Sequence, residues 1–170
     1  MIMEVKNKKT QYQPVKMVND NNVIVMWDYK PILKVNAKGE TVETPLAVWQ
    51  EARFDHKPSL NEIKNVVLAY YNQQIECEIL KGLKWHDMQI WLSTENQFNY
   101  KAAYDLAVQT NGATLPMTFK FGDDENTVYY EFTNMDEFTD FYMSSINHVQ
   151  KTLSEGWLKK DSINWSLFEI

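Results

Sequence analysis

The sequence predicts an α+β fold in which antiparallel hairpins and helices follow one another along the chain. Short runs rich in β-branched and aromatic residues occur in pairs around turn-forming residues. Three longer segments carry apolar residues at helical spacing behind capping residues. Segregated hairpins and helices of this kind are typical of α+β proteins with antiparallel sheets.

The composition indicates a folded protein that needs no disulfide or structural metal. Hydrophobic residues make up 44% and aromatic residues 14% of the 170 residues, which is enough for a substantial core. The single cysteine, Cys77, excludes a disulfide framework and a multi-cysteine zinc site. The net charge of −6, with one short basic run at 6–9, argues against nucleic-acid binding.

The start of the chain, MIMEVKNKK, lacks the apolar run of a secretory signal. No stretch of the sequence approaches the roughly 18 apolar residues of a membrane span. We therefore expect a protein that is made in a cytoplasm and has no membrane partner.

The N-terminal third predicts an extended arm followed by a small β unit. Residues 1–21 are polar and have no period, so we expect an arm there. Residues 22–56 hold strand-forming runs, and a glycine-containing turn at 37–40 predicts a hairpin. Pro31 should interrupt the first strand. Pro45 should lie at an edge or in a bulge, because proline has no N–H to donate.

A linking helix is predicted within residues 57–82. Ser59 and Glu62 have the spacing of a capping box, and Gly82 suits the left-handed position that ends many helices. The apolar stripe of this helix contains Leu60, Ile63, Val67, Tyr70 and Cys77. The position of Cys77 on this stripe predicts a buried thiol.

Residues 83–170 predict a hairpin–helix–hairpin–helix domain. The first hairpin turns at His86-Asp87, and Ser93 or Thr94 should cap the helix that follows. The second hairpin covers 116–132 and has an acidic loop at its tip.

Thr133 should cap the last helix, with Asp136 three residues further on, and Gly156 should end it. Trp157 and Trp165 would then lie in a short tail. The predicted buried face consists of Phe138, Phe141, Tyr142, Ile146, Val149 and Leu153.

Side chains with catalytic chemistry are few and scattered. Cys77 could act as a nucleophile with His86 as its base, but a cysteine on an apolar stripe is better explained by packing. The other two histidines, His56 and His148, show no metal-ligand spacing.

The acidic loop Asp123-Asp124-Glu125 lacks the spacing of a calcium loop and is better explained as a solvated hairpin tip. Five glycines and no Walker motif leave no phosphate loop. We predict no enzymatic activity, no catalytic residue, no metal site and no cofactor.

Exposed aromatic side chains are the remaining candidates for a site. Trp85 and Trp91 lie in the first hairpin, and strand alternation places Tyr129 and Tyr130 on opposite faces of the second. Exposed Trp and Tyr anchor protein interfaces and also form platforms for sugars. We select Trp85, Trp91 and Tyr130 as candidate contacts to a partner protein or a sugar.

Three segments resemble a small domain of unknown function found in tailed-phage and prophage proteins near tail-fibre or baseplate genes. They are GLKWHDMQIWLSTENQFNYKAAYDLA (82–107), LPMTFKFGDDENTVYYEF (115–132) and FYMSSINHVQKTLSEGWLKKDSINW (141–165). That family has a Gly-aromatic hairpin, an Ala-rich helix, a second hairpin and a helix ending in a basic-Asp-Ile pattern. Here the pattern is Lys160-Asp161-Ile163. Residues 60–80 resemble the segment that precedes such domains.

The resemblance implies a non-enzymatic structural or adaptor component in the tail, baseplate or fibre region of a tailed bacteriophage. Its partners would be other phage structural proteins, in a homo-oligomer or a larger assembly. The chain would be made in the host bacterial cytoplasm and end in the virion. A tail-fibre assembly chaperone and a sugar- or host-surface-binding module are the alternatives. The family offers no catalytic residue to carry over.

Overall fold

Helices and antiparallel strands follow one another along the chain, which confirms the predicted α+β class. The computed structural model describes residues 1–123 and 125–170. Contacts divide the chain into two units. The sheet unit comprises Met1–Tyr70 with Ser162–Ile170, and the hairpin–helix unit comprises Tyr71–Asp161.

The sheet unit contains four antiparallel strands. They are β1 (Ile2–Lys8), β2 (Val15–Met17), β3 (Val23–Val35) and β4 (Thr41–Phe54). Their order across the sheet is β1-β4-β3-β2, so the two long strands lie in the middle.

The prediction of an N-terminal arm is wrong, because residues 1–21 supply both edge strands of this sheet. β1 pairs with β4 from Ile2, opposite Ala52, to Lys8, opposite Leu46. β2 pairs with the start of β3. Edge strands tolerate polar and charged residues, which discourage pairing with other chains. The composition of the segment therefore resembles that of a solvated arm.

The prolines of β3 and β4 lie at irregularities of the pairing. The prediction that Pro31 interrupts the strand is wrong. Pro31 pairs with Ala47, and the pairing register shifts before and after it. Pro45 lies where the register on β4 steps from Ala47 to Glu43, which confirms its predicted place in a bulge. The other irregularity contains Asp28 in a left-handed conformation (φ +56°).

The first helix, α1 (Leu60–Lys81), begins at the predicted capping box. The Oε2 atom of Glu62 accepts hydrogen bonds from the backbone N–H of Ser59 (2.8 Å) and from its hydroxyl (2.7 Å). The Ser59 hydroxyl oxygen in turn accepts from the backbone N–H of Glu62 (3.3 Å). These bonds satisfy donors that the helix itself leaves without partners.

This cap should make the stability of the protein fall in acid. The hydrogen bonds from Ser59 lower the pKa of Glu62 from 4.5 to about 2. Because the folded pKa is depressed, the stabilisation is present above pH 4.5 and is lost as the pH falls through about 2. We expect the melting temperature to fall less steeply between pH 5 and 2 in Glu62→Gln than in the wild type, by circular dichroism. Glu76→Gln, on the same helix, is the control, and equal slopes in all three proteins would contradict the prediction.

Cys77 is exposed, so its predicted burial is wrong. Ile63 and Val67 are buried as the stripe predicts. Beyond Tyr70 the helix belongs to the hairpin–helix unit and buries a different face, on which Ile75 and Ile79 lie. The prediction extended one buried stripe along the whole helix and therefore assigned Cys77 to the buried face.

The last nine residues belong to the sheet unit and not to the domain 83–170 that was predicted. They contain a short 3₁₀ turn, Trp165–Phe168, in which Phe168 is buried. The ammonium group of Lys64 lies 5.5 Å from the centre of the Trp165 ring, a cation–π contact to α1.

The hairpin–helix unit has the predicted order of elements after the second half of α1. They are β5 (Leu83–Trp85), β6 (Met88–Ile90), α2 (Thr94–Gln109), β7 (Met117–Phe121), β8 (Val128–Phe132) and α3 (Met135–Asp161). Each hairpin is a separate two-stranded sheet. The backbone N–H of Gly122 donates to the carbonyl of Gln89 (2.8 Å) and connects the two.

The helix caps differ from the predictions in one case. Ser93 caps α2, and its side chain accepts from the backbone N–H of Asn96, as predicted. Asn134, and not Thr133, caps α3, because its Oδ1 accepts from the N–H of Glu137 (2.9 Å). Both residues have an acidic residue three positions further on, so the spacing fits either one.

The prediction that Gly156 ends α3 is wrong, because Gly156 lies buried inside the helix. A Cβ atom at this position would lie 2.2 Å from Cδ1 of Ile75 on α1. The glycine is therefore a point of close contact between α3 and Ile75, where a larger side chain would not fit. Consequently Trp157 belongs to the helix and not to a tail.

The buried face of α3 is turned slightly from the predicted one. Phe138, Phe141 and Ser145 are buried, whereas Ile146 is 37% exposed. Phe141 lies in an aromatic core to which both hairpins and both following helices contribute. The buried members are Trp85, Ile90, Leu92, Tyr100, Ala107, Phe121, Phe132, Phe138 and Phe141.

Candidate functional site

The three predicted contact residues have different environments. Trp85 is 5% exposed, and its indole N–H donates to Asp140 (2.8 Å). Tyr130 is half-buried, and its ring centre lies 5.2 Å from that of Trp85. Tyr130 donates to Glu137, and this hydrogen bond raises the pKa of Tyr130 to about 12.

Trp85 and Tyr130 therefore pack together in or beside the core, and the prediction that Trp85 offers an exposed platform is wrong. Strand alternation directs Trp85 inward, since β5 presents one face to the core. Trp91 is 43% exposed and is the predicted site residue that can offer part of its ring to a ligand.

Hydrogen bonds fix both the indole ring and the backbone of Trp91. The indole N–H donates to the carbonyl of Gly122 in the second hairpin (2.6 Å). The Trp91 carbonyl accepts from the Asn96 side-chain amide (3.1 Å) and from the Tyr100 hydroxyl (3.4 Å). These bonds fix the ring before any ligand arrives, which reduces the entropy lost on binding.

Trp91 lines two hollows, with volumes of about 420 and 400 Å³. Trp91, Gly122 and Asp123 line both. The first is completed by Lys84, Asp87, Met88, Gln89, Asn126 and Val128. The second is completed by Asn96, Lys120 and Phe121. We call Trp91 and these two hollows the Trp91 surface.

Asp123 is positioned by the loop that follows β7. Its Oδ1 accepts from the backbone N–H groups of Glu125 (3.0 Å) and Asn126 (2.7 Å). The Asn126 side chain also donates to this oxygen (3.2 Å). One carboxylate oxygen thus organises the loop. Asp124, the middle residue of the predicted acidic tip, lies outside the described residues.

The sheet unit has a second surface feature, a two-stranded ribbon. β1 ends opposite Leu46, and β2 pairs with β3 only as far as Val25. Residues 32–35 and 41–45 therefore continue beyond both outer strands as a hairpin of two strands, which we call the ribbon.

The ribbon carries exposed apolar side chains on one face. Leu33 is 55% and Val35 is 68% exposed, and the two lie two residues apart, on the same side of β3. Their cross-strand partners, Glu43 and Thr41, are exposed as well. The sequence predicted a hairpin here but not this projection. The projection follows from the observed strand lengths, since β3 and β4 have 13 and 14 residues whereas β1 has 7.

The residues considered for catalysis and metal binding lie in different local environments. Cys77 is exposed on α1, and the ring of His86 stacks on Trp85 with a centre distance of 4.0 Å. His56 contacts Asp55 and Glu62, each at 3.0 Å, and these hydrogen bonds raise the pKa of His56. Within residues 1–123 and 125–170, no group of three or more His, Cys, Asp or Glu side chains is placed to hold a metal ion.

Comparison with known proteins adds no relative. No protein-family model, no curated protein and no solved structure matches this chain. In the part of the chain that the structure describes, no helix has the length and apolar character to cross a membrane. The resemblance to a phage domain remains a prediction.

Proposed function

We propose that this chain is a non-enzymatic structural or adaptor component of a tailed-bacteriophage virion, in the tail, baseplate or fibre region. In this proposal another structural protein of the particle binds the ribbon. The observation that carries it is the projection of the ribbon with Leu33 and Val35 exposed on one face. The phage setting is supported by the resemblance over residues 60–165.

The chemistry of the ribbon favours a protein partner. Burying each of its two exposed apolar side chains would contribute on the order of 1 kcal/mol. The outer edge of β3 pairs with β2 as far as Val25, and the Met26 N–H donates to the Pro14 carbonyl (2.9 Å). Past these contacts, in the ribbon, this edge can accept an added strand through its backbone. Proteins usually protect such edges, because an exposed apolar edge promotes aggregation. A permanent partner in an assembly would supply that protection.

The test uses the phage or prophage that encodes the chain. We expect mass spectrometry of purified particles to detect the wild-type chain and to find Leu33→Lys at less than about a tenth of that level, because a buried unpaired lysine costs several kcal/mol. Val18→Lys is the matched control, since Val18 in the same unit is also 55% exposed. The control should enter particles normally. Circular dichroism of each purified variant verifies its fold.

The possible results separate the alternatives. Equal incorporation of Leu33→Lys and Val18→Lys would refute the role of the ribbon. Absence of the wild-type chain from purified particles would refute the virion assignment. If tails then failed to assemble without the gene, a tail-fibre assembly chaperone would replace it.

A further inference from the structure

The Trp91 surface has the features of a carbohydrate site, a function beyond the assembly role proposed above and independent of it. We propose that it binds a neutral oligosaccharide, with one sugar ring against the indole of Trp91 and the adjoining sugar residues in the two hollows.

Trp91 presents the face of its ring to a sugar. A sugar ring presents a face of C–H groups, which packs on the electron-rich face of an indole. Trp91 is 43% exposed, and its N–H is already bonded to the Gly122 carbonyl at 2.6 Å. The polar edge is satisfied within the protein, so the ring can contribute its apolar surface to a ligand without leaving a donor unpaired.

The two hollows offer space for the sugar residues next to the one that stacks. The hollows of about 420 and 400 Å³ share Trp91, Gly122 and Asp123 as a common wall. Each volume is in the range of small-molecule sites. Two hollows that share one aromatic ring in their walls suit a linear chain of sugar residues, because the neighbours of the residue that stacks can occupy them.

The charged side chains that line the two hollows favour a neutral ligand. The first hollow combines Lys84 with Asp87 and Asp123, and the second combines Lys120 with Asp123. A carboxylate and an ammonium group occur in both, so neither hollow favours a strongly charged ligand. Sugar hydroxyls both donate and accept, and they can pair with either group. The shared Asp123 would repel an acidic sugar, which makes neutral glycans the preferred class.

The experiment uses the full-length chain on an array of oligosaccharides four to six residues long. Its neutral members contain glucose, galactose, mannose or N-acetylglucosamine, and its acidic members contain uronic or sialic acid. Dissociation constants for the best ligand are then measured by titration calorimetry. We expect binding to neutral members and at least a tenfold loss of affinity in Trp91→Ala. Trp157→Ala is the matched control, because Trp157 in the same unit is 49% exposed, and it should bind normally.

A second variant, in Asp123, tests the same site in case the loss of Trp91 disturbs the hairpin. Asp123→Asn retains the Oδ1 acceptor that organises the loop and removes the charge. We expect it to weaken neutral binding about tenfold while the indole ¹⁵N–¹H signals of the protein stay in place. No binding to any neutral member, equal binding by Trp91→Ala and wild type, or binding to acidic members alone would overturn the proposal.

Discussion

Replacing Phe141 by alanine is expected to destabilise the hairpin–helix unit by about 3–5 kcal/mol, the range for removing a large aromatic side chain from a core. Phe141 is fully buried. Its ring centre lies 5.0 Å from that of Tyr100 and 5.1 Å from those of Phe121 and Phe132. The ring therefore contacts α2 and both strands of the second hairpin, and its contact with Trp85 (5.4 Å) adds the first hairpin.

Urea denaturation followed by tryptophan fluorescence and far-UV circular dichroism measures this loss. Met143→Ala is the control on the same helix; Met143 is 46% exposed, and we expect its replacement to cost less than about 1 kcal/mol. Phe141→Leu retains most of the volume and should cost about 1–2 kcal/mol, so the effect stays measurable if the alanine variant does not fold. Similar losses for Phe141→Ala and Met143→Ala would contradict the central place of Phe141 in this core.

The order of hairpins and helices was predictable because it depends on local signals. The Ser59–Glu62 capping box, the His86-Asp87 turn and the Ser93 cap are each encoded within a few residues, and the structure places all three as predicted. Local signals also explain the one-residue error at Thr133, because its neighbour Asn134 satisfies the same spacing.

The errors arose where distant segments decide the outcome. The residues of β1 form a strand because β4 lies beside them, and the paired residues are 38 to 50 positions apart in the chain. Gly156 lies inside α3 because Ile75 occupies the space that a larger side chain would need. Cys77 is exposed because α1 buries different faces in its two halves. None of these contacts has a signature in the local sequence, since each is a property of two segments at once.

The candidate sites show the same difference between features that local signals predict and features that depend on distant segments. Alternation correctly placed Tyr129 and Tyr130 on opposite faces. The site prediction nevertheless selected Tyr130, which is half-buried, and not Tyr129, which is 72% exposed. It could not separate Trp85 from Trp91, because Trp91 lies just past the end of β6 and its orientation depends on the Gly122 carbonyl of the other hairpin. The aromatic content of the first hairpin was a sufficient signal for a site, but only the fold identifies which ring is available.

Replacing Gly82 by alanine is expected to cost about 2–5 kcal/mol, from two sources. Gly82 has φ +70°, and an L-residue in this region costs about 1–2 kcal/mol. A Cβ atom would also lie 1.8 Å from the carbonyl oxygen of Ile90 in β6, and such overpacking costs about 1–3 kcal/mol because backbone must move.

Gly112→Ala separates these two sources, because Gly112 follows α2 much as Gly82 follows α1 and has φ +81°. Its Cβ would lie 3.3 Å from Cγ of Met135, a flexible side chain that can move aside. We therefore expect Gly112→Ala to show only the backbone cost of about 1–2 kcal/mol. If urea denaturation gave equal losses for the two variants, the close approach of Ile90 would contribute nothing. A larger loss for Gly82→Ala would show that the first hairpin is fixed to the end of α1 by backbone contact.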